Sequence, residues 1–155
     1  MPEFKLITVA ETPYLYVERT CSWNPQDIAA ATGSALQEVW AFMQANAIRP
    51  AGGALSVYYS YSPDQVTFRA GFTVAAGDMA KAAGGVKAGA TPTGRAVHFT
   101  HKGSYATLRD DYDAMMKWMK EKGMEMGAPT WEVYMNAPDQ VPEEELLTEV
   151  YVALA

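Results

Sequence analysis

Four segments of the first half of the chain recur in the same order in the second. YVERTCS from Tyr16 matches AVHFTHK from Ala96, and EVWAFMQ from Glu38 matches MMKWMKE from Met115. SVYYSYSPD from Ser56 matches WEVYMNAPD from Trp131 with a slip of one residue, and GFTVA from Gly71 matches EVYVA from Glu149. Each match is weak alone, but their common order implies one strand-helix-strand-strand unit used twice. Two such units predict an α+β fold with two pseudo-repeated β-α-β-β units, a largely antiparallel sheet and both helices on one side. The opposite face is then free to form a ligand groove between the halves. The expected organisation is one domain over residues 1–155, with repeat halves at about 1–76 and 86–155.

Local signals support the unit. Phe4 to Ala10 is apolar and β-prone, and Thr12-Pro13 breaks it. Tyr14 to Thr20 resumes as a strand. Asn24-Pro25 is a helix start, with Asp27 in the first turn and a stripe of Ile28, Leu36, Val39, Trp40 and Met43. Leu55 to Tyr61 and Val66 to Ala75 form a hairpin around Ser62-Pro63-Asp64. The stretch from Ala76 to Thr93 reads as a connector with a short strand near Val86, and Gly94 to His101 is the next strand. Ser104 is a cap candidate for a second helix, with aspartates early, lysines late and Gly123 past its end. Trp131 to Asn136 and Leu146 to Leu154 close the chain as a hairpin.

Charge narrows the function classes. The formal net charge is −6 and no Lys/Arg cluster interrupts it, which argues against direct nucleic-acid binding. Cys21 is the single cysteine, so it forms no internal disulfide and reads as a small apolar strand residue. The N-terminal run is strand-like rather than a signal peptide, and no apolar segment is long enough to span a bilayer. These features together imply a soluble protein in a reducing, cytoplasmic setting, with no membrane partner.

The residue that stands out is Glu149, an acid inside the last strand. Alternation puts Val150, Val152 and Leu154 on one face and Glu149 and Tyr151 on the other. If Val133 belongs with the core, Glu132 and Tyr134 share the groove face with them. The repeat relation sets Tyr59 opposite Tyr134 and the small Gly71 opposite Glu149. By the same parity Tyr16, Glu18 and His98 look toward that side. Tyrosine faces and a desolvated carboxylate suit an organic cation, and the methionines of the second helix add adaptable apolar surface. The alternative is that Glu149 lies at an exposed strand position among ordinary sheet tyrosines. Trp40 is expected in the core, whereas Trp118 falls off the main stripe and points to the groove edge. His98 and His101 do not share a face, so no metal site is expected. GGVKAGATPTGR lacks the lysine ending of a phosphate loop, and Glu143 to Glu145 read as a solvated loop.

Taken together, PTGRAVHFTHKGSY at Pro92 to Tyr105, Tyr112, Trp118, WEVYMNAPD and TEVYVAL resemble the GyrI-like small-molecule-binding domains, which also serve as effector domains of AraC- and MerR-type regulators. The resemblance covers the second half well and the first through its order of elements. It implies two tandem β-α-β-β units with a ligand cleft, no cofactor, a last-strand glutamate matched by Glu149, and aromatic pocket positions matched by Tyr134 and Tyr151. On this basis the ligand-binding residues are expected to be Glu149, Tyr134, Tyr151, Tyr112, Trp118, Tyr59 and His98. The expected ligands are lipophilic, aromatic, cationic small molecules, bound for sensing or sequestration. Some members resemble hydrolases that open cyclopropane rings of DNA-alkylating natural products. In that reading Glu149 activates water and Tyr134 assists. A protein inhibitor of gyrase, or a partner of a regulator, is the remaining alternative.

Overall fold

A computed structural model describes residues 2–137 and 139–155, with Ser60 and Tyr61 described through their backbone. The sequence signals become β1 (Lys5–Val9), β2 (Pro13–Ser22), α1 (Pro25–Ala45), β3 (Ala54–Tyr61) and β4 (Gln65–Thr73), then β5 (Lys87–Ala90), β6 (Gly94–Lys102), α2 (Leu108–Glu121), β7 (Met126–Tyr134) and β8 (Leu147–Leu154). Asn24 caps α1 by accepting from the Gln26 amide at 2.9 Å, with Pro25 in the first turn. Ser104 accepts from the Ala106 amide and starts a short 3-10 turn, Tyr105–Thr107, that runs into α2. Gly123, at a φ of 71°, ends α2. Among the described residues no helix is long and apolar enough to cross a membrane.

The eight strands form one antiparallel sheet in the order β1-β6-β8-β7-β3-β4-β2-β5. The β-α-β-β unit occurs twice, as β2-α1-β3-β4 and as β6-α2-β7-β8, and the two join where β3 pairs with β7. The flanking strands cross over: β1 pairs with the second unit and β5 with the first.

Register proves that both helices lie on one side. Ala35, Val39 and Met43 of α1 pack on Leu15, Val17, Val66, Phe68 and Ala70. Met115 and Met119 of α2 pack on Val97, Phe99, Val150 and Val152. Paired residues share a face, and Phe68 pairs with Tyr58, Tyr58 with Thr130, and Thr130 with Val152. The helices therefore sit over β2/β4 and over β6/β8, leaving β3 and β7 between them. Four strand spacings of about 4.8 Å set the helix axes roughly 19 Å apart, against roughly 8–10 Å for helices in direct contact.

The helix-free face carries a second core of Tyr14, Tyr16, Leu55, Val57, Ala96, Trp131 and Ala153. The expectation of an open groove along this face is thus corrected at its centre, where Leu55 and Val57 are fully enclosed. The reason lies in two short links. β1 and β2 are six strand positions apart, about 29 Å in a flat sheet. Only residues 10–12 join them, and residues 91–93 make the same crossing from β5 to β6. Two links that short force the sheet to curl, and the helix-free face, which carries Val9, Tyr14 and Ala96, is on the inside.

The pairing also corrects the alignment of the halves. His98, Tyr151 and Trp131 line up across the second unit as Glu18, Arg69 and Val57 do across the first. Glu149 then corresponds to Thr67, not to Gly71, and Glu132 to Tyr58. Gly71 has a different reason: a Cβ there would overlap the Leu15 carbonyl on β2. Gly33, in mid-α1, meets nothing within 4 Å. We therefore expect Gly71→Ala to lower unfolding stability by about 3 kcal/mol through backbone displacement. Gly33→Ala is expected to raise it by about 0.5–1 kcal/mol. Urea melts of both variants check this, and an unchanged midpoint for Gly71→Ala would contradict the β2–β4 register.

Candidate functional site

The floor between the helices is built from the helix-facing residues of β3 and β7: Ser56 and Tyr58, and Thr130, Glu132 and Tyr134. Alternation fixes these positions, because Ser56 and Glu132 pair directly and Glu132 also pairs with Val150, which lies under α2. Glu132 is thus a carboxylate placed in the middle of an apolar layer, with 6% of its surface exposed. Tyr112 of α2 donates to its Oε2 at 2.6 Å, and Tyr134 donates to its Oε1 at 3.0 Å. The Tyr134 hydroxyl also lies 2.9 Å from Ser56 Oγ. Among the described residues no basic side chain forms an ion pair with Glu132.

Burial raises the Glu132 carboxyl above its ordinary value, against the pull of the Tyr112 and Tyr134 hydroxyls and the nearby His101. Burial likewise holds the Tyr58, Tyr112 and Tyr134 phenols well above theirs, with the Glu132 charge adding to it. His101 is clamped between Asp111 Oδ2, at 2.5 Å from Nδ1, and the Ser104 carbonyl, at 2.8 Å from Nε2. This clamp ties the start of α2 to β6. Thr148 Oγ1, beside Tyr134 and His101 on the same face, is buried without a hydrogen-bond partner among the described residues. Trp40, Met116 and Tyr105 expose large apolar surface on and near the two helices. Trp40 rests on Phe72 at 5.5 Å, and Tyr105 stands edge-on to Tyr134 at 5.8 Å. The expectation of a core Trp40 is corrected by its 43% exposure.

The register separates the residues expected to share one groove. Val133 pairs with Glu149, so Glu149 and Tyr151 lie on the helix-free face and Tyr134 on the other. The expected Glu149–Tyr134 pair is therefore split by the thickness of the sheet. Val133 packs in the second core rather than under a helix, which reverses the faces of β7 from those expected. Glu149 is partly exposed and takes hydrogen bonds from Thr100, at 2.9 and 3.0 Å, and from His98. His98 leans on Tyr151 at 4.8 Å, and Tyr151 stacks on Trp131 at 5.3 Å. A shallow depression of about 260 Å³, lined by Glu3, Lys5, His98 and Thr100, lies beside them. Tyr59 is on this face as well, under Arg69. Tyr112 faces Glu132 and Trp118 does not: six helical residues put Trp118 about 240° round from Tyr112. Trp118 packs instead on Phe4, at 5.8 Å, so its place at the groove edge is corrected. Among the described residues no group of three His, Cys, Asp or Glu is placed to hold a metal ion.

Alternation in the sequence sets Glu132 beside Tyr134 on the groove face but does not single it out as a binding residue. Its missed signal is that both of its neighbours are large and apolar, as in a strand buried on both faces.

The same architecture occurs in proteins of low sequence similarity. EcmrR in its DNA complex superposes with a TM-score of 0.80 at 17% identity, over 99% of this chain and 57% of that one. This chain therefore spans little more than half of the EcmrR chain. A hydrolase from Listeria innocua superposes with a TM-score of 0.66 at 14% identity, covering 99% and 92% of the two chains. SAV2435 bound to tetraphenylphosphonium gives 0.66 at 13% identity, covering 99% and 94%. At these identities the likeness is one of fold. A search of curated protein sequences finds no match. The family model of the GyrI-like small molecule binding domain matches residues 2–155, and the chain belongs to that family.

Proposed function

We propose that the protein binds lipophilic aromatic cations over the β3–β7 floor, with Glu132 as the charge reader and Tyr134, Tyr112 and Tyr58 as the aromatic surround. One observation carries this reading: an enclosed carboxylate ringed by tyrosines, without a basic ion-pair partner among the described residues. A buried carboxylate in that state costs several kcal/mol, which an arriving cation offsets. Tyrosine rings favour a diffuse organic cation over a hydrated metal ion. The tetraphenylphosphonium bound by SAV2435, which shares the fold, is a ligand of this class. Sensing and sequestration are both served by such binding. Glu149, whose charge already meets Thr100 and His98, is the comparison residue.

A hydrolase reading is carried by the same carboxyl. Its raised pKa and its two phenol partners suit proton transfer to or from water. An electrophilic cyclopropane substrate recovered with one added water, by mass analysis after incubation, would favour it. Recovery of such substrates intact leaves binding.

Titration with tetraphenylphosphonium tests the binding reading. Glu132→Gln is expected to weaken it by about 1–3 kcal/mol, and neutral triphenylphosphine oxide much less. Glu149→Gln is expected to leave both nearly unchanged. Equal losses for the two ligands in Glu132→Gln would remove Glu132 from the role of charge reader. Binding is also expected to weaken as pH falls through the raised Glu132 pKa, where the carboxyl takes up its proton.

Stability moves the other way. Near the ordinary value of 4.5 the unfolded chain ionises Glu132 while the native state still holds its proton. Stability due to this group is therefore full below 4.5 and falls as pH rises toward the native pKa. Glu132→Gln is expected to be more stable than the parent at pH 7, by about 1 kcal/mol or more, and the gain is expected to shrink at pH 4. Thermal melts at the two pH values read this difference, and a destabilised variant at pH 7 would mean that the tyrosine hydrogen bonds outweigh the burial of the charge.

A further inference from the structure

The face opposite Glu132 holds a cation in an unusual setting. Arg69, on β4, lies with its guanidinium carbon 4.4 Å from the centroids of both Tyr16 and Tyr59. Its Nη1 donates to Tyr14 Oη at 3.1 Å. Tyr14 is fully enclosed, and burial pushes its phenol up to about 12, so it stays a neutral hydroxyl and a fixed anchor. Gly89 leaves space at the same point: a Cβ there would come within 3.1 Å of Arg69 Nη1 and of Tyr14 Oη. A guanidinium has five N–H donors, and one is spent on Tyr14. Among the described residues no carboxylate forms an ion pair with Arg69 and no other acceptor meets its remaining donors. Glu18 is its cross-strand partner on the same face, yet it is exposed and unpaired with it. In a chain of net charge −6, a half-buried arginine that two aromatic rings and a hydroxyl hold away from acids is a preorganised donor fork.

We propose that Arg69 forms an anion-binding site for carboxylate-bearing aromatic small molecules, on the sheet face opposite the Glu132 floor. The fork geometry matches a planar carboxylate through two parallel N–H···O bonds. Tyr59, 41% exposed, offers an aromatic flank for the ring that carries the carboxylate. Tyr14 and Tyr16 fix the guanidinium orientation before the ligand arrives, so little side-chain freedom is lost on binding.

Benzoate, with its neutral isostere benzamide, is the probe, titrated into the full chain at low salt by NMR. Benzoate is expected to saturate and to bind at least tenfold more tightly than benzamide. Arg69→Met is expected to abolish that preference while tetraphenylphosphonium binding is kept, so this site and the Glu132 site fail independently. If circular dichroism shows Arg69→Met to be unfolded, Arg69→Lys decides: it keeps the charge, loses the planar fork, and is expected to weaken benzoate at least fivefold. Glu18→Gln is expected to strengthen benzoate about twofold by removing a neighbouring negative charge. Equal binding of benzoate and benzamide, or parental benzoate affinity in the folded arginine variants, would overturn the proposal.

Discussion

Two three-residue links, 10–12 and 91–93, hold the rest of the structure in shape. They cross between opposite ends of the sheet and bond to each other there. The Thr91 amide donates to the Thr12 carbonyl at 3.0 Å, the Thr12 amide to Thr91 Oγ1 at 2.9 Å, and the Glu11 amide to Thr93 Oγ1 at 3.1 Å. These bonds satisfy backbone groups that would otherwise be stranded between strands. With the ends tied, an eight-stranded sheet has no flat option. It curls, closes its inner face over Leu55, Val57 and Trp131, and carries its helices on the outer, divergent side. The separation of α1 from α2, and so the floor over β3 and β7, follows from that curl.

The curl also decides which acid is costly. Glu149 lies toward the rim of the inner face, where His98, Thr100 and partial exposure ease its charge. Glu132 lies at the centre of the outer face, where among the described residues its hydrogen bonds come from the neutral hydroxyls of Tyr112 and Tyr134. The two carboxylates are one strand apart in the sheet and on opposite sides of it, and they differ mainly in solvation. A stabilised carboxylate is a poor reader of charge, because a ligand cation gains little by displacing partners already present. A desolvated one gains much, at the expense of native stability.

Most of the architecture is written in local signals. Asn24-Pro25, Ser104 and Gly123 mark helix ends by chemistry that any sequence shows, and the ordered repeat implies two β-α-β-β units on one sheet. The crossing of β1 and β5 is different in kind. It depends on pairing between residues far apart in the chain, Leu6 with Val97 and Tyr14 with Gly89 for example, and no local preference encodes that. The faces of β7 are hard to tell apart in the sequence for a related reason. Trp131 and Val133 face one core while Glu132 and Tyr134 face the space beneath the helices, so apolar and aromatic residues occur on both sides. Alternation identifies the buried face only when the other face is wet. In a strand buried on both sides, the single charged residue is the better marker of where a site lies.

The repeat supplies the frame, and departures from it supply the chemistry. Tyr58 and Glu132 occupy equivalent places on the two central strands, so at that one pair of places the floor carries a phenol and a carboxylate. Arg69 and Tyr151 are equivalent on the inner face, where one unit places a guanidinium and the other a ring stacked on Trp131. A fully symmetric pair of acids on the floor would repel across directly neighbouring strands, and one of them would stay protonated. Pairing an acid with a tyrosine avoids that repulsion and keeps an aromatic wall beside the charge. The asymmetry at these two positions puts a carboxylate and a guanidinium on opposite faces of the sheet and two strands apart, so the two charges do not meet as an ion pair.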